Sequence, residues 1–224
     1  MLRYKAIIIS IIFLVLFNFT TETSPSSKEE LAYNSICIDI GHGGIDPGTI
    51  YKKIYEKDIN LKIGLELGKL LEEESFKVTY TRTTDKDLAP KNYKERKKTD
   101  LTYRARIINK SDCFMYLSIH LNSSPSKSIR GPQIYYDDIN KENKILATSM
   151  YKTFKKQVSS TRKIQEIKDL YMFKLISKPG VLAELGYLSN AGERGLLIDT
   201  TYQKKLANIL KDSITDYQIT ILNQ

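Results

Sequence analysis

Short apolar strands alternating with amphipathic helices predict an α/β protein built on a mostly parallel or mixed sheet. Three brief runs carry the strand half of that expectation: Ile36-Cys37-Ile38-Asp39-Ile40, Phe114 to Ile119, and Val181 to Leu188. Nearly continuous apolar runs of this length are those of strands covered on both faces. The helical half is a set of apolar residues at helical spacing, clearest in Ile59, Ile63, Leu67, Leu70 and Leu71. A chain of 224 residues is long enough for one substantial core, and length alone gives no reason to expect a second full domain.

In chain order, residues 20–34 are rich in serine and threonine and read as a polar linker, so the fold should begin near Ser35. The first strand runs into a glycine-rich turn, Gly41-His42-Gly43-Gly44-Ile45-Asp46-Pro47-Gly48, and then into the helix spanning 54–74. Phe76-Lys77-Val78-Thr79-Tyr80-Thr81 alternates as a strand does. From Thr83 to Thr99 charge dominates, as in a solvated surface loop, and Asp100 is the expected cap of a helix through Asn109. The Phe114 strand ends at His120. After the Gly131-Pro132 turn come Gln133 to Tyr136, a helix marked by Leu146, Met150, Phe154 and Val158, and a charged connector from Thr161 to Asp169. Pro179-Gly180 leads into the Val181 strand, and Leu206, Leu210, Ile214, Tyr217 and Ile221 mark a last helix.

Composition narrows the partners. Hydrophobic residues make up 41% of the chain, as in an ordinary globular protein, and the net charge of +9 favours anionic partners without choosing among them. Arg3 and Lys5 precede an apolar run from Ala6 to Phe17, so residues 1–19 read as an export signal or membrane tether. Twelve or so apolar residues are short for a permanent span, which takes about 20. A protein sent outward seldom meets nucleic acid, and the basic residues show no aromatic interleaving, so no nucleic-acid partner is expected. Contact with a membrane is expected only through the N-terminal segment. Cys37 and Cys113 fall in or beside strands and are expected to be reduced and structural.

The chain has two histidines, and both sit at strand ends. Residues leaving the carboxyl ends of core strands enter the crevice where open α/β sheets keep their sites. His42 opens the glycine turn, and His120 lies in Ser118-Ile119-His120-Leu121-Asn122. Glu184 interrupts the late apolar strand, where an unpaired carboxylate is costly, so it should face a crevice or a cation. Asp39 is a similar intrusion, explicable as a partner for the backbone of the glycine turn. Catalytic zinc commonly takes three histidine and carboxylate ligands and leaves one position open. The histidines supply two, and the third falls to Glu56 or Glu184. Position alone leaves Glu56 equally well explained by the positive end of its helix.

A family resemblance decides between them. The segments Ile38 to Gly48, Glu56 followed by Asn60-Leu61, Ser118 to Asn122, and Leu182-Ala183-Glu184-Leu185-Gly186-Tyr187-Leu188-Ser189-Asn190 occur in order. Together with Arg82-Thr83-Thr84-Asp85 and Arg104 to Asn109 they resemble the zinc-dependent, type 3 N-acetylmuramoyl-L-alanine amidases that cut bacterial peptidoglycan. The likeness spans about residues 35–220, most of a catalytic domain expected over 35–224. It implies a twisted, mostly parallel central sheet flanked by helices on both faces, Zn2+ held by His42, Glu56 and His120, and Glu184 as the catalytic base. Leu121 and Ala183 depart from the usual alanine and valine without removing a functional group.

The activity so implied is hydrolysis of the amide between N-acetylmuramic acid and L-alanine. The compact form behind a leader is most similar to sporulation amidases that trim spore cortex before muramic-δ-lactam formation. That resemblance implies a protein exported across the cytoplasmic membrane, acting at the cell wall or in the forespore intermembrane space. Peptidoglycan is the expected partner, joined by an extracytoplasmic accessory or activator protein. The basic residues Lys94, Arg96, Lys97, Lys98 and Arg130 are candidates to hold stem-peptide carboxylates. The competing readings are a zinc exopeptidase acting on stem peptides and a non-catalytic wall-binding protein.

Overall fold

The computed structural model describes residues 33–158 and 161–223. The leader and nearly all of the linker expected from the sequence lie outside those residues. Among the described residues, no helix is long and apolar enough to cross a membrane.

In chain order the strands are β1 (Ser35–Ile40), β2 (Ile50–Tyr51), β3 (Ile54–Tyr55), β4 (Lys77–Tyr80), β5 (Met115–Asn122), β6 (Gln133–Tyr136), β7 (Gln165–Glu166) and β8 (Gly180–Tyr187). The helices are α1 (Glu56–Glu73), α2 (Arg96–Lys110), α3 (Lys141–Gln157), α4 (Ala191–Leu197) and α5 (Thr200–Leu222). Six strands form the central sheet in the order β4-β1-β5-β8-β6-β7. The first four run parallel, β6 is antiparallel to β8, and β7 runs parallel to β6. This is the mostly parallel α/β sheet that the alternation predicts. β2 and β3 make a separate small hairpin that feeds directly into α1.

Side chains alternate across a strand, so each of the core strands addresses two faces. Ile36, Ile38 and Ile40 of β1, Met115, Leu117 and Ile119 of β5, and Val181, Ala183 and Leu185 of β8 form one core with α1, α3 and α5. The intervening Cys37, Tyr116 and Leu182 face a smaller cluster made with Ala105 and Ile108 of α2 and with Met172, Phe173 and Ile176. Helices therefore cover both faces. Going toward the carboxyl ends, the α2 face changes from apolar to polar: Cys37 gives way to Asp39, Tyr116 to Ser118 and His120, Leu182 to Glu184. Cys37 and Cys113 are free, buried thiols in or beside this second core.

Two sequence expectations need correction. Helix α2 begins at Arg96, five residues earlier than a helix capped by Asp100 would, and Asp100 does not cap it. Asp100 is buried one turn inside, where its carboxylate accepts from Arg104 Nε at 2.7 Å and from Leu88 N at 2.7 Å. The segment before α2 is also more than a solvated loop. Asp85 accepts from Gly44 N at 2.8 Å and Asp87 from Ile45 N at 3.4 Å, which ties it to the glycine turn.

Leu117 lies fully buried at the centre of the sheet, on the side of α1, α3 and α5. Leu117→Ala is expected to cost about 2–5 kcal/mol, the range for truncating a core leucine. Urea unfolding should show the lower midpoint with an unchanged slope.

Candidate active site

Alternation brings the crevice residues together on the α2 face at the carboxyl ends of β1, β5 and β8. His120 lies inside β5, two residues before its end, so the strand runs on past the end at His120 expected from the sequence. It pairs in register with Glu184 of β8, and the ladder shifts between His120 and Asn122. His42 stands in the turn after β1 and adopts a left-handed backbone with φ 62°. A side-chain-bearing residue rarely sits there, and such strain costs on the order of 1–3 kcal/mol.

Two buried arginines hold that turn. Arg82, just after β4, donates from Nε to Ile40 O at 3.0 Å and from Nη2 to Gly41 O at 3.0 Å and Lys57 O at 2.7 Å. Arg104 of α2 donates from Nη1 to Ile40 O and from Nη2 to His42 O, each at 2.6 Å. Three consecutive carbonyls are thus fixed by guanidinium groups. Asp39 neutralises the clamp: it accepts from Arg104 Nη1 at 2.9 Å, Ser118 Oγ at 2.6 Å and Thr81 Oγ1 at 2.8 Å. Its intrusion into β1 therefore answers Arg104, not the glycine-turn backbone. Burial alone would raise Asp39, but Arg104 and the Ser118 hydrogen bond hold its carboxyl below the usual range. Burial, and then the charge of Arg104, bring Arg82 down to about 10.

The turn leaves no spare volume. A Cβ on Gly41 would lie 2.4 Å from His120 Cε1, and one on Gly48, where φ is 66°, would lie 2.6 Å from both Glu56 Oε2 and His42 Cδ2. Glycine at both positions lets the backbone approach the histidines and Glu56 this closely.

His42, Glu56 and His120 converge there, with ligand atoms all within 4.8 Å of one another. Glu56 Oε1 lies 3.2 Å from His42 Nε2 and 3.0 Å from His120 Nδ1. Although Glu56 is the first residue of α1, its carboxylate turns to the histidines and to backbone donors outside the helix. Oε1 accepts from Leu121 N at 3.0 Å, and Oε2 from Thr49 N at 2.8 Å. His42 Nδ1 meets Asp46 Oδ2 at 3.0 Å, which leaves Nε2 facing inward. Burial lowers His42, but the hydrogen bonds to Asp46 and Glu56 outweigh it and raise the imidazole to about 9. Burial likewise pushes Glu56 upward, yet hydrogen bonds from His120 and His42 hold it well below the ordinary carboxylate range.

Glu184 stands apart from this cluster. Its Oε2 is buried and has no hydrogen-bond partner among the described residues. Burial, and then the neighbouring charge of Glu56, raise its carboxyl to about 8, with His42 acting in the opposite sense. A cation among the three donors would reverse the effect of Glu56. Two imidazoles, one carboxylate and an unsatisfied second carboxyl make a donor set that fits a catalytic zinc ion. The cavity in front is about 280 Å³ and is lined by His42, His120, Glu184, Asp39, Tyr171 and Lys97, among others. A larger one, about 580 Å³, lies between α3 and α5 among lysines and hydroxyls, away from any such cluster.

Residues 36–216 match the profile of the N-acetylmuramoyl-L-alanine amidase family. The chain belongs to that family. The amidase is 36% identical over 214 residues to the germination-specific N-acetylmuramoyl-L-alanine amidase of Bacillus subtilis, covering 92% of this chain and 90% of that one. Its fold matches the CwlD amidase of Clostridioides difficile, solved in complex with the GerS lipoprotein, with a TM-score of 0.80 and 35% identity over 84% of this chain and 99% of CwlD. The catalytic domain of CwlV from Bacillus (Paenibacillus) polymyxa superposes with a TM-score of 0.72 and 31% identity, over 82% of the amidase and 97% of that domain.

Most of the basic residues suggested for stem-peptide binding are already engaged. Arg96 Nη2 lies 2.7 Å from both oxygens of Asp87, Lys98 pairs with Glu95 at 3.5 Å, and Lys97 approaches Asp46 at 3.7 Å. Arg130 sits beside Glu193, away from the His42 cavity. What the sequence reading missed is the clamp itself. Arg82 and Arg104 were visible only as parts of matching segments, and no local signal says that two arginines are fully buried.

Arg104→Met in the amidase would leave Asp39 buried and unpaired, so it is expected to cost about 3–5 kcal/mol. Asp39→Asn added to it should recover part of that loss. Denaturant unfolding of wild type and the two variants checks both, and a loss below about 1 kcal/mol for Arg104→Met, as for a surface pair, would contradict the clamp.

Proposed function

We propose that the amidase hydrolyses the amide between N-acetylmuramic acid and L-alanine in peptidoglycan as a zinc enzyme. His42, Glu56 and His120 hold the metal, and Glu184 moves the protons. The observation that carries this reading is the convergence of those three donors beside a buried carboxyl oxygen without a partner. Zinc supplies a Lewis acid that polarises a carbonyl and acidifies water. Glu184 Oε2 takes the proton of the attacking water and returns it to the alanine nitrogen as the amide breaks. Asp46 keeps the proton of His42 on Nδ1, so that Nε2 presents its lone pair to the site. Arg82 and Arg104 hold the His42 backbone in its strained form.

The biological setting follows the relatives. Close likeness to a germination-specific amidase over nearly its whole length supports a sporulation role, in cortex peptidoglycan before muramic-δ-lactam formation. A structural relative solved in complex with a lipoprotein supports an extracytoplasmic accessory partner here as well. Residues 1–19 act as export signal or membrane tether, 20–34 as linker and 35–224 as the catalytic domain, and the enzyme works outside the cytoplasmic membrane.

Glu184→Gln keeps the shape of the side chain and removes the base. It is expected to retain one zinc per chain and to lose at least roughly 10²-fold in rate on isolated sacculi, the low end for a positioned acid or base. Mass spectrometry of wild-type digests should show muramic acid freed of peptide. Shortened stem peptides on intact muramic acid would favour the exopeptidase, and full activity of Glu184→Gln would remove Glu184 from the chemistry.

A further inference from the structure

Beyond Glu184 the same face of the sheet carries a polar cluster for which proton transfer has no use. Gln133 of β6 pairs in antiparallel register with Glu184, so the two side chains are neighbours on one face. Gln133 is buried, and its Oε1 accepts from the Tyr135 hydroxyl at 2.9 Å, from Arg162 Nε at 2.9 Å and from the Tyr187 hydroxyl at 3.5 Å. Its Nε2 donates to Lys163 O at 3.2 Å and Gln165 Oε1 at 3.1 Å, so the amide orientation is fixed. Asn122 Nδ2, one residue past Leu121, reaches the Tyr135 hydroxyl at 3.5 Å. Hydrogen bonds thus run from Asn122 at the end of β5 through Tyr135 and Gln133 to Arg162.

Arg162 is held at its base and open at its tip. Its backbone N donates to Pro132 O at 2.8 Å, Thr161 Oγ1 donates to the same carbonyl at 3.1 Å, and Nε is spent on Gln133. Among the described residues neither Nη nitrogen has a hydrogen-bond or carboxylate partner, and the side chain is half-buried. A guanidinium fixed through Nε with both Nη atoms free is a planar fork matched to a carboxylate. This contrasts with Arg96, whose fork already grips Asp87.

Reach selects the ligand. Neighbouring strands lie about 4.8 Å apart, so Gln133 is one spacing from Glu184 and the guanidinium roughly two, on the order of 10 Å. An extended peptide advances about 3.3–3.6 Å per residue. A group on the second residue past the scissile amide therefore falls in range.

Resting on the amide-hydrolysis reading above, we infer that Arg162 is a substrate-binding residue that grips the carboxylate carried by the second residue of the stem peptide. It sets a preference for substrates that keep this acid free over those in which it is amidated. Gln133, itself fixed by Tyr135 and Tyr187, holds the base of the guanidinium through Nε.

The test crosses enzyme with substrate. The zinc-loaded full chain and its Arg162→Gln and Arg162→Lys variants are assayed on two synthetic muramyl peptides that differ only in a carboxylate or carboxamide on the second residue. Wild type is expected to favour the acid by roughly 10- to 100-fold in kcat/KM, the range for a hydrogen bond to a charged group. Arg162→Gln should lose that factor on the acid through KM, cleave both substrates alike, and melt with wild type. Arg162→Lys should keep part of the preference. If Arg162→Gln retains the wild-type preference, or loses equally on both substrates, the inference is overturned and Arg162 only supports Gln133. If wild type cleaves neither substrate at the muramyl amide, the hydrolysis reading itself fails.

Discussion

Two buried guanidinium groups at the end of β1 are the constraint on which the site depends. Arg82 and Arg104 come from different elements, yet both close on the carbonyls of Ile40, Gly41 and His42. A chain leaving a strand ordinarily relaxes toward solvent, and a histidine has no reason of its own to adopt φ 62°. The hydrogen bonds to its carbonyl and to Nδ1 hold it there. The charge in the clamp is balanced by Asp39 and Asp100, each bonded to Arg104. The arrangement is expensive to assemble and costly to break by halves, as buried ion pairs are.

Around that fixed turn the remaining parts need only the regularity of the sheet. His120 and Glu184 are adjacent because β5 and β8 are parallel and in register. Glu56 reaches them because the β2–β3 hairpin starts α1 directly under the crevice. Asp39, Ser118, His120 and Glu184 share a face through the two-residue period of strands. The same period brings Gln133 beside Glu184, and through it Arg162. One face of the sheet thus carries His120, Glu184 and Gln133 on neighbouring strands, with Arg162 beyond them.

Much of this was legible in the residues. Continuous apolar strands and helical spacing announced the α/β class, and the intrusion of Glu184 into an apolar run correctly pointed to a crevice. His42 and His120 at strand ends did converge. What stayed hidden was long-range pairing of charge. Asp100 looked like a helix cap because aspartate favours that position locally, whereas its contacts with Leu88 and Arg104 account for its burial inside the helix. Arg96 looked like free basic charge because sequence does not show that Asp87 folds back onto it. Local chemistry is read from neighbours in the chain, whereas burial of Arg104 depends as well on partners 23 to 65 residues away.

We propose that the turn set by Arg82 and Arg104 presents His42, with Glu56 and His120, as the three ligands of one zinc ion, leaving Glu184 free beside it. Anomalous diffraction at the zinc edge from crystals of the purified protein tests this directly. One full zinc site is expected, bonded to His42 Nε2, the Glu56 carboxylate and His120, with Glu184 unbonded to the metal. Zinc bound by Glu184 in place of Glu56, or no zinc at this turn, would contradict it.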